Sequence, residues 1–87
     1  MARVFIPAQL RDLTAGQQEI DAVGVTVREL VVEIERRHPG FAARVTSERE
    51  LSPALQVSVD GTFSRRGLDA RVGPESEVHF LPVFGGG

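Results

Sequence analysis

The chain has 87 residues, 41% of them apolar, with 10 basic against 12 acidic side chains for a formal charge of −2, and it contains no cysteine. That length suits one domain with a core for a single two-layer packing, and it excludes a catalytic fold with a separate substrate domain. The lack of cysteine removes a disulfide framework, a thiolate nucleophile and every Cys-based zinc site, and the near-neutral charge lacks the basic field that dominates nucleic-acid affinity.

All the basic residues are arginine, so no side-chain amine is available for an isopeptide bond or a Schiff base. No apolar run approaches the ~20 residues of a membrane span, and Val4-Phe5-Ile6 before Pro7 is too short for a secretory core. The expectation is a cytoplasmic protein with no nucleic-acid or membrane partner.

In chain order, Arg3 to Ile6 alternate with the strand period and Pro7 stops the ladder. Thr14-Ala15-Gly16 is a turn signal, and the alternation from Gln17 to Ala22 predicts a second strand paired with the first as a hairpin. Thr26-Val27-Arg28-Glu29 matches a capping box, in which the Thr26 hydroxyl accepts from the Glu29 amide and the Glu29 carboxylate reaches back to the Thr26 amide. Val25 and Leu30 stand at the staple positions. Val27, Leu30, Val31 and Ile34 form one apolar stripe, and Arg36, Arg37 and His38 oppose the helix dipole before Pro39-Gly40 ends the element.

From Phe41 to Pro53 the mixed pattern predicts an exposed loop with room for one short turn of helix. Leu55, Val57 and Val59 alternate with polar residues up to Asp60-Gly61, a strong two-residue hairpin signal, after which Thr62-Phe63-Ser64 gives a short fourth strand. Val72-Gly73-Pro74-Glu75 turns the chain into a last strand over Glu77 to Leu81, ended by Pro82.

This order predicts an α+β fold of the β-grasp kind, a mixed sheet of four to five strands with one main helix packed on one face. By alternation, Val4, Ile6, Ile20, Leu55, Val57, Val59, Val78 and Phe80 face the helix, while Phe5, His79 and Leu81 point away on the open face. Residues 1–84 read as a single domain and 85–87 as a flexible tail.

Conventional catalytic arrays are missing. The only histidines are His38, which suits a helix end, and His79, on the open face, so a metal site would have to be built largely from carboxylates. The serines lack a nucleophile-elbow context, and Glu33 and Glu35 diverge on a solvated helix face. Val83-Phe84-Gly85-Gly86-Gly87 is different, because glycine lets a chain enter a channel where a Cβ would clash, and the reactive group would then be the terminal carboxylate itself.

The strand order, the capping box, Asp60-Gly61 and Leu81-Pro82-Val83-Phe84 running into glycines resemble the ubiquitin-like sulfur carriers of the MoaD and ThiS family over the whole chain. Ile6-Pro7-Ala8-Gln9-Leu10-Arg11, Thr14-Ala15-Gly16-Gln17 and Val78-His79-Phe80-Leu81-Pro82-Val83-Phe84 are most similar to the CysO type, which carries sulfur for cysteine synthesis. The resemblance implies a carrier rather than an enzyme, with no cofactor of its own. An E1-like adenylating enzyme of the MoeB/ThiF type activates the terminal glycine, a sulfur donor protein converts it to a thiocarboxylate, and a biosynthetic enzyme consumes the sulfur. For the CysO type that consumer is a pyridoxal-phosphate-dependent cysteine synthase.

Mapped onto this chain, Gly87 bears the adenylated carboxylate, Gly85 and Gly86 pass through the partner's channel, and Phe5, His79, Leu81, Val83 and Phe84 form the partner-binding surface. The family usually ends in two glycines and this chain in three, so either the channel accepts one more residue or a peptidase trims Gly87 first. Molybdopterin, thiazole, thiolated tRNA or a natural product are other destinations for the sulfur. A protein modifier and an inert interaction module are the alternatives to a carrier.

Overall fold

The computed structural model describes residues 1–83. The alternation at the start of the chain gives β1 (Ala2–Phe5), with Ala2 and Val4 buried and Arg3 exposed. Pro7 has no N–H to donate, so the ladder ends there. The chain then winds into a 3₁₀ segment over Ala8–Thr14 that the sequence pattern did not announce. Leu10 and Thr14 are its buried residues, and the Thr14 hydroxyl lies within reach of the Arg11 and Gln17 carbonyls, at 3.3 and 3.0 Å. The strand β2 (Glu19–Ala22) pairs antiparallel with β1, as the hairpin reading requires.

Helix α1 (Val27–Arg37) buries Val27, Leu30, Val31 and Ile34, the predicted stripe. Its cap differs in detail from the expected box. The Thr26 hydroxyl accepts from the Glu29 N–H at 3.3 Å, but the Glu29 carboxylate accepts from the Val25 N–H at 2.9 Å, not from that of Thr26. Thr26 is bridged to Arg71, with Val27 N–H and Val72 N–H donating to the Ala70 and Val25 carbonyls on either side, which fixes the chain direction at this point. Of the staple positions, Val25 is 54% exposed and Leu30 is fully buried. Gly24 also lies against Leu30: a Cβ built on it would stand 3.2 Å from Leu30 Cδ2 and 2.7 Å from Glu29 Cβ.

The segment expected to be an exposed loop with one short turn of helix does hold that short helix, but it is packed on the core rather than exposed. Gly40, at φ 102°, turns the chain into α2 (Phe41–Val45), and β3 (Thr46–Ser47) and β4 (Glu50–Leu51) close a short hairpin. Phe41 and Val45 are fully buried, and the Phe41 ring meets Phe80 edge-on at 6.1 Å. Glu35 is not a merely solvated acid. Its carboxylate accepts the Ala42 N–H at 2.8 Å and the Gly40 N–H at 3.1 Å, and these backbone bonds hold its pKa below the ordinary 4.5.

Strand β5 (Leu55–Val59) turns through Asp60 and Gly61, both at positive φ, into β6 (Thr62–Phe63). A short 3₁₀ turn at Gly67–Asp69 leads to β7 (Glu77–Pro82), whose last residue is the proline expected to end it. The sheet order is β2-β1-β7-β5-β6, with β1 and β7 parallel at the centre and the other pairs antiparallel. This is the expected mixed β-grasp sheet with the helix on one face. Val4, Ile6, Ile20, Leu55, Val57, Val78 and Phe80 are buried beneath the helices, whereas Val59, near the sheet's end, is only half-buried.

Candidate docking face

Because partners in a β-ladder share a face, the register assembles the outer surface of the sheet. Phe5 is opposite Glu19 on one side and His79 on the other, His79 is opposite Ser58, and Ser58 is opposite Phe63. These five residues make one row across all five strands. At its centre the Phe5 and His79 rings stack, centroids 4.2 Å apart and planes within 4°. The parallel pairing of β1 with β7 puts the two rings side by side, and both are half-buried rather than free.

Leu81 lies one row further along β7, opposite Gln56 and half-buried. After Pro82 the Val83 N–H donates to the Ala54 carbonyl at 2.9 Å, and the Val83 side chain is 51% exposed. The chain is therefore held on the sheet as far as Val83, one residue before Phe84. Since β1 and β7 run in the same direction, the end of β1 lies beside the end of β7. There a groove of about 300 Å³ is lined by Phe5, Pro7, Arg11, Glu19, His79 and Leu81, among others. The Arg11 guanidinium is anchored by donating from Nε to the Ile6 carbonyl at 3.0 Å, and Glu19 pairs with Arg3 at 3.4 Å. The groove thus has an aromatic wall, with one fixed cation and one carboxylate at its rim.

Of the predicted surface residues, the structure brings Phe5, His79 and Leu81 to one groove and places Val83 beyond them on the same strand's extension. Phe84 and the glycines Gly85, Gly86 and Gly87 lie outside the described residues. Three members of the face were missed by sequence reasoning. Arg11 and Glu19 reach the groove only through the 3₁₀ segment and the exact hairpin register. Phe63 did carry a signal, because a two-residue turn at Asp60-Gly61 pairs Ser58 with Phe63 and so puts Phe63 on the outward face of Ser58.

Among the described residues no group of three or more His, Asp or Glu could hold a metal, and no helix is long and apolar enough to cross a membrane. The face offers contact area and charge without a catalytic array.

The ThiS family model matches residues 4–87. The CysO of the BexX/CysO complex from Amycolatopsis orientalis superposes with a TM-score of 0.92 at 35% identity, covering 100% of both chains. CysO of Mycobacterium tuberculosis, described as an antigen, gives 0.89 at 26% identity over 97% of this chain and 100% of its own. The small archaeal modifier protein 1 of Methanosarcina acetivorans gives 0.78 at 22% identity over 99% of this chain and 95% of its own, which is a likeness of fold. No curated protein matches the chain in sequence. A family match running over almost the whole length, on a β-grasp sheet of the CysO shape, places this chain in the ThiS family of small ubiquitin-like sulfur carriers.

Proposed function

We propose that the protein is a sulfur carrier for biosynthesis, in the first place for cysteine, built as one β-grasp domain over residues 1–84 with residues 85–87 as its working tail. The observation that carries this reading is the family match, which extends through the terminal glycines to Gly87. The likeness to two CysO chains supports cysteine as the destination.

In this reading Gly87 supplies the reacting carboxylate. A carboxylate is a poor electrophile, so an adenylating enzyme of the MoeB/ThiF type joins a carboxylate oxygen to the α-phosphorus of ATP and releases pyrophosphate. Attack by hydrosulfide on the acyl carbon then expels AMP and leaves a thiocarboxylate; where the sulfur arrives as a persulfide on a donor protein, the acyl disulfide first formed is cleaved by thiol, which is oxidised to a disulfide. The protein itself contributes no acid, base or metal to these steps. Its part is to dock and to deliver the tail: Phe5, His79, Leu81, Val83 and Phe84 form the contact surface, and Gly85 and Gly86 clear a narrow channel because they lack Cβ atoms.

The test is pyrophosphate exchange, measured with a MoeB/ThiF-type enzyme and ATP. A chain ending at Gly87 or at Gly86 supports exchange and a chain ending at Phe84 does not. Equal exchange by the chain ending at Phe84 would contradict activation at the tail. A chain ending at Gly86 decides whether the third glycine is tolerated or must be trimmed by a peptidase: exchange only with the shorter form assigns trimming to the pathway.

A further inference from the structure

Strand β6 is the outermost strand at one end of the sheet, so one of its edges has no strand beside it. The Ser64 N–H donates to the Val57 carbonyl at 3.0 Å. Successive residues of an antiparallel ladder turn their peptide groups alternately inward and outward, so the N–H and C=O of Phe63 point to the open edge. The Phe63 side chain is itself 57% exposed. Beside it is a hollow of about 350 Å³ whose wall includes Val59, Thr62, Phe63, Arg66, Ala70 and Arg71.

The charge around this hollow is mostly positive, since Asp60, in the turn before β6, directs its carboxylate to the Ser76 hydroxyl and the Glu77 N–H. Arg65, Arg66 and Arg71 are exposed and have no ion-pair partner among the described residues. The acid in the same stretch, Asp69, is already held by Arg28 at 3.1 Å. In a chain of net charge −2 these three arginines are a local excess of positive charge, and the acidic residues Glu19 and Asp21 stand on β2 at the far end of the sheet. Exposed strand edges are usually shortened or charged to discourage pairing with other chains, and a charged edge of one sign selects the chains that can still pair.

We propose that the β6 edge, where the row ending in Phe63 meets solvent, is a second docking surface, and that it takes an extended acidic segment of a partner protein. The segment adds as a strand along β6 and pairs its backbone with the Phe63 peptide groups. It seats an apolar side chain against Val59 and Ala70 and sets carboxylates on Arg66 and Arg71. The open edge selects an extended segment over a helix, and the three arginines select acidic over basic sequence. Strand β5 lies between this edge and the strand that carries Leu81.

The experiment is an amide chemical-shift titration of the full protein with a blocked peptide of sequence Asp-Asp-Val-Ile-Asp-Glu, and with its counterpart in which Arg replaces each acid. The acidic peptide is expected to saturate, with the largest shifts between Val59 and Arg71, and to weaken as salt is raised, while the basic peptide gives no saturable shift. The Arg66→Glu/Arg71→Glu double variant should keep the wild-type melting temperature, because both side chains are exposed, and lose about tenfold or more in affinity. No saturable binding at millimolar peptide, a shift map centred on Phe5 and His79, or undiminished binding by the double variant would each overturn the proposal.

Discussion

Glu35 shows how a single residue can acquire a role that its own neighbourhood does not reveal. Its carboxylate closes the entry to α2 by accepting two backbone N–H groups, and those bonds favour the ionised form. With the folded pKa below the unfolded one, this contribution to stability is present above about the ordinary value of 4.5 and is lost as pH falls through the lowered folded value. Glu35→Gln should therefore be less stable than the wild type at neutral pH, and chemical denaturation should find the gap closing in acid. An unchanged gap at low pH would mean that the charge is not what matters. Gly24 has a role of a different kind, since even one methyl group would meet Glu29 Cβ at 2.7 Å. Gly24→Ala should cost about 1–3 kcal/mol, the usual range for forcing extra atoms into a packed site, as read from urea denaturation.

At the scale of elements, what the sequence made legible was whatever has a local period. The stripe Val27, Leu30, Val31, Ile34 and the alternation of Leu55, Val57 and Val78, Phe80 define their own faces, because side-chain direction is set by position within one helix or strand. Phe41 and Val45 were not legible in the same way. A single helical turn, Phe41-Ala42-Ala43-Arg44-Val45, is too short to define a stripe, and its burial depends on Phe80 and the helix layer, which are brought to it by the fold. Arg28 is a further case, bonding Asp69 forty-one positions away and the Arg49 carbonyl, and so tying α1 to segments that no local pattern links to it. The candidate face was legible at Phe5, His79 and Leu81 through strand alternation, and illegible at Arg11 because Pro7 breaks the period before that residue.

The two sides of the sheet should respond differently to substitution. Leu30→Ala removes fully buried atoms and should cost about 2–5 kcal/mol, lowering the thermal midpoint by many degrees. Leu81→Arg and Phe5→Arg, on the half-buried outer face, should leave most of the stability in place and weaken binding to the adenylating enzyme. Calorimetry beside a binding titration separates the two classes. A Leu81→Arg chain that is unfolded would show Leu81 to be core rather than contact surface.

On the scale of the whole molecule, the two faces of the five-stranded sheet take different parts in the proposed reading. One face is covered by the helices and supplies the core. The other carries Phe5, His79 and Leu81, with Val83 held beyond them by the Ala54 carbonyl. A small domain with no catalytic array can still belong to a reaction if its own terminus is the reacting group. The most direct measurement of that claim is the intact mass of the protein after incubation with an adenylating enzyme, ATP and a sulfur donor. Exchange of one carboxylate oxygen for sulfur predicts a gain of about 16 Da carried by the last residue, in the wild type and not in a Gly86→Trp variant of unchanged melting temperature. An unchanged mass in both the full chain and a chain ending at Gly86, covalent adducts with lysine-bearing proteins in place of the 16 Da species, or normal conversion of Gly86→Trp would contradict it.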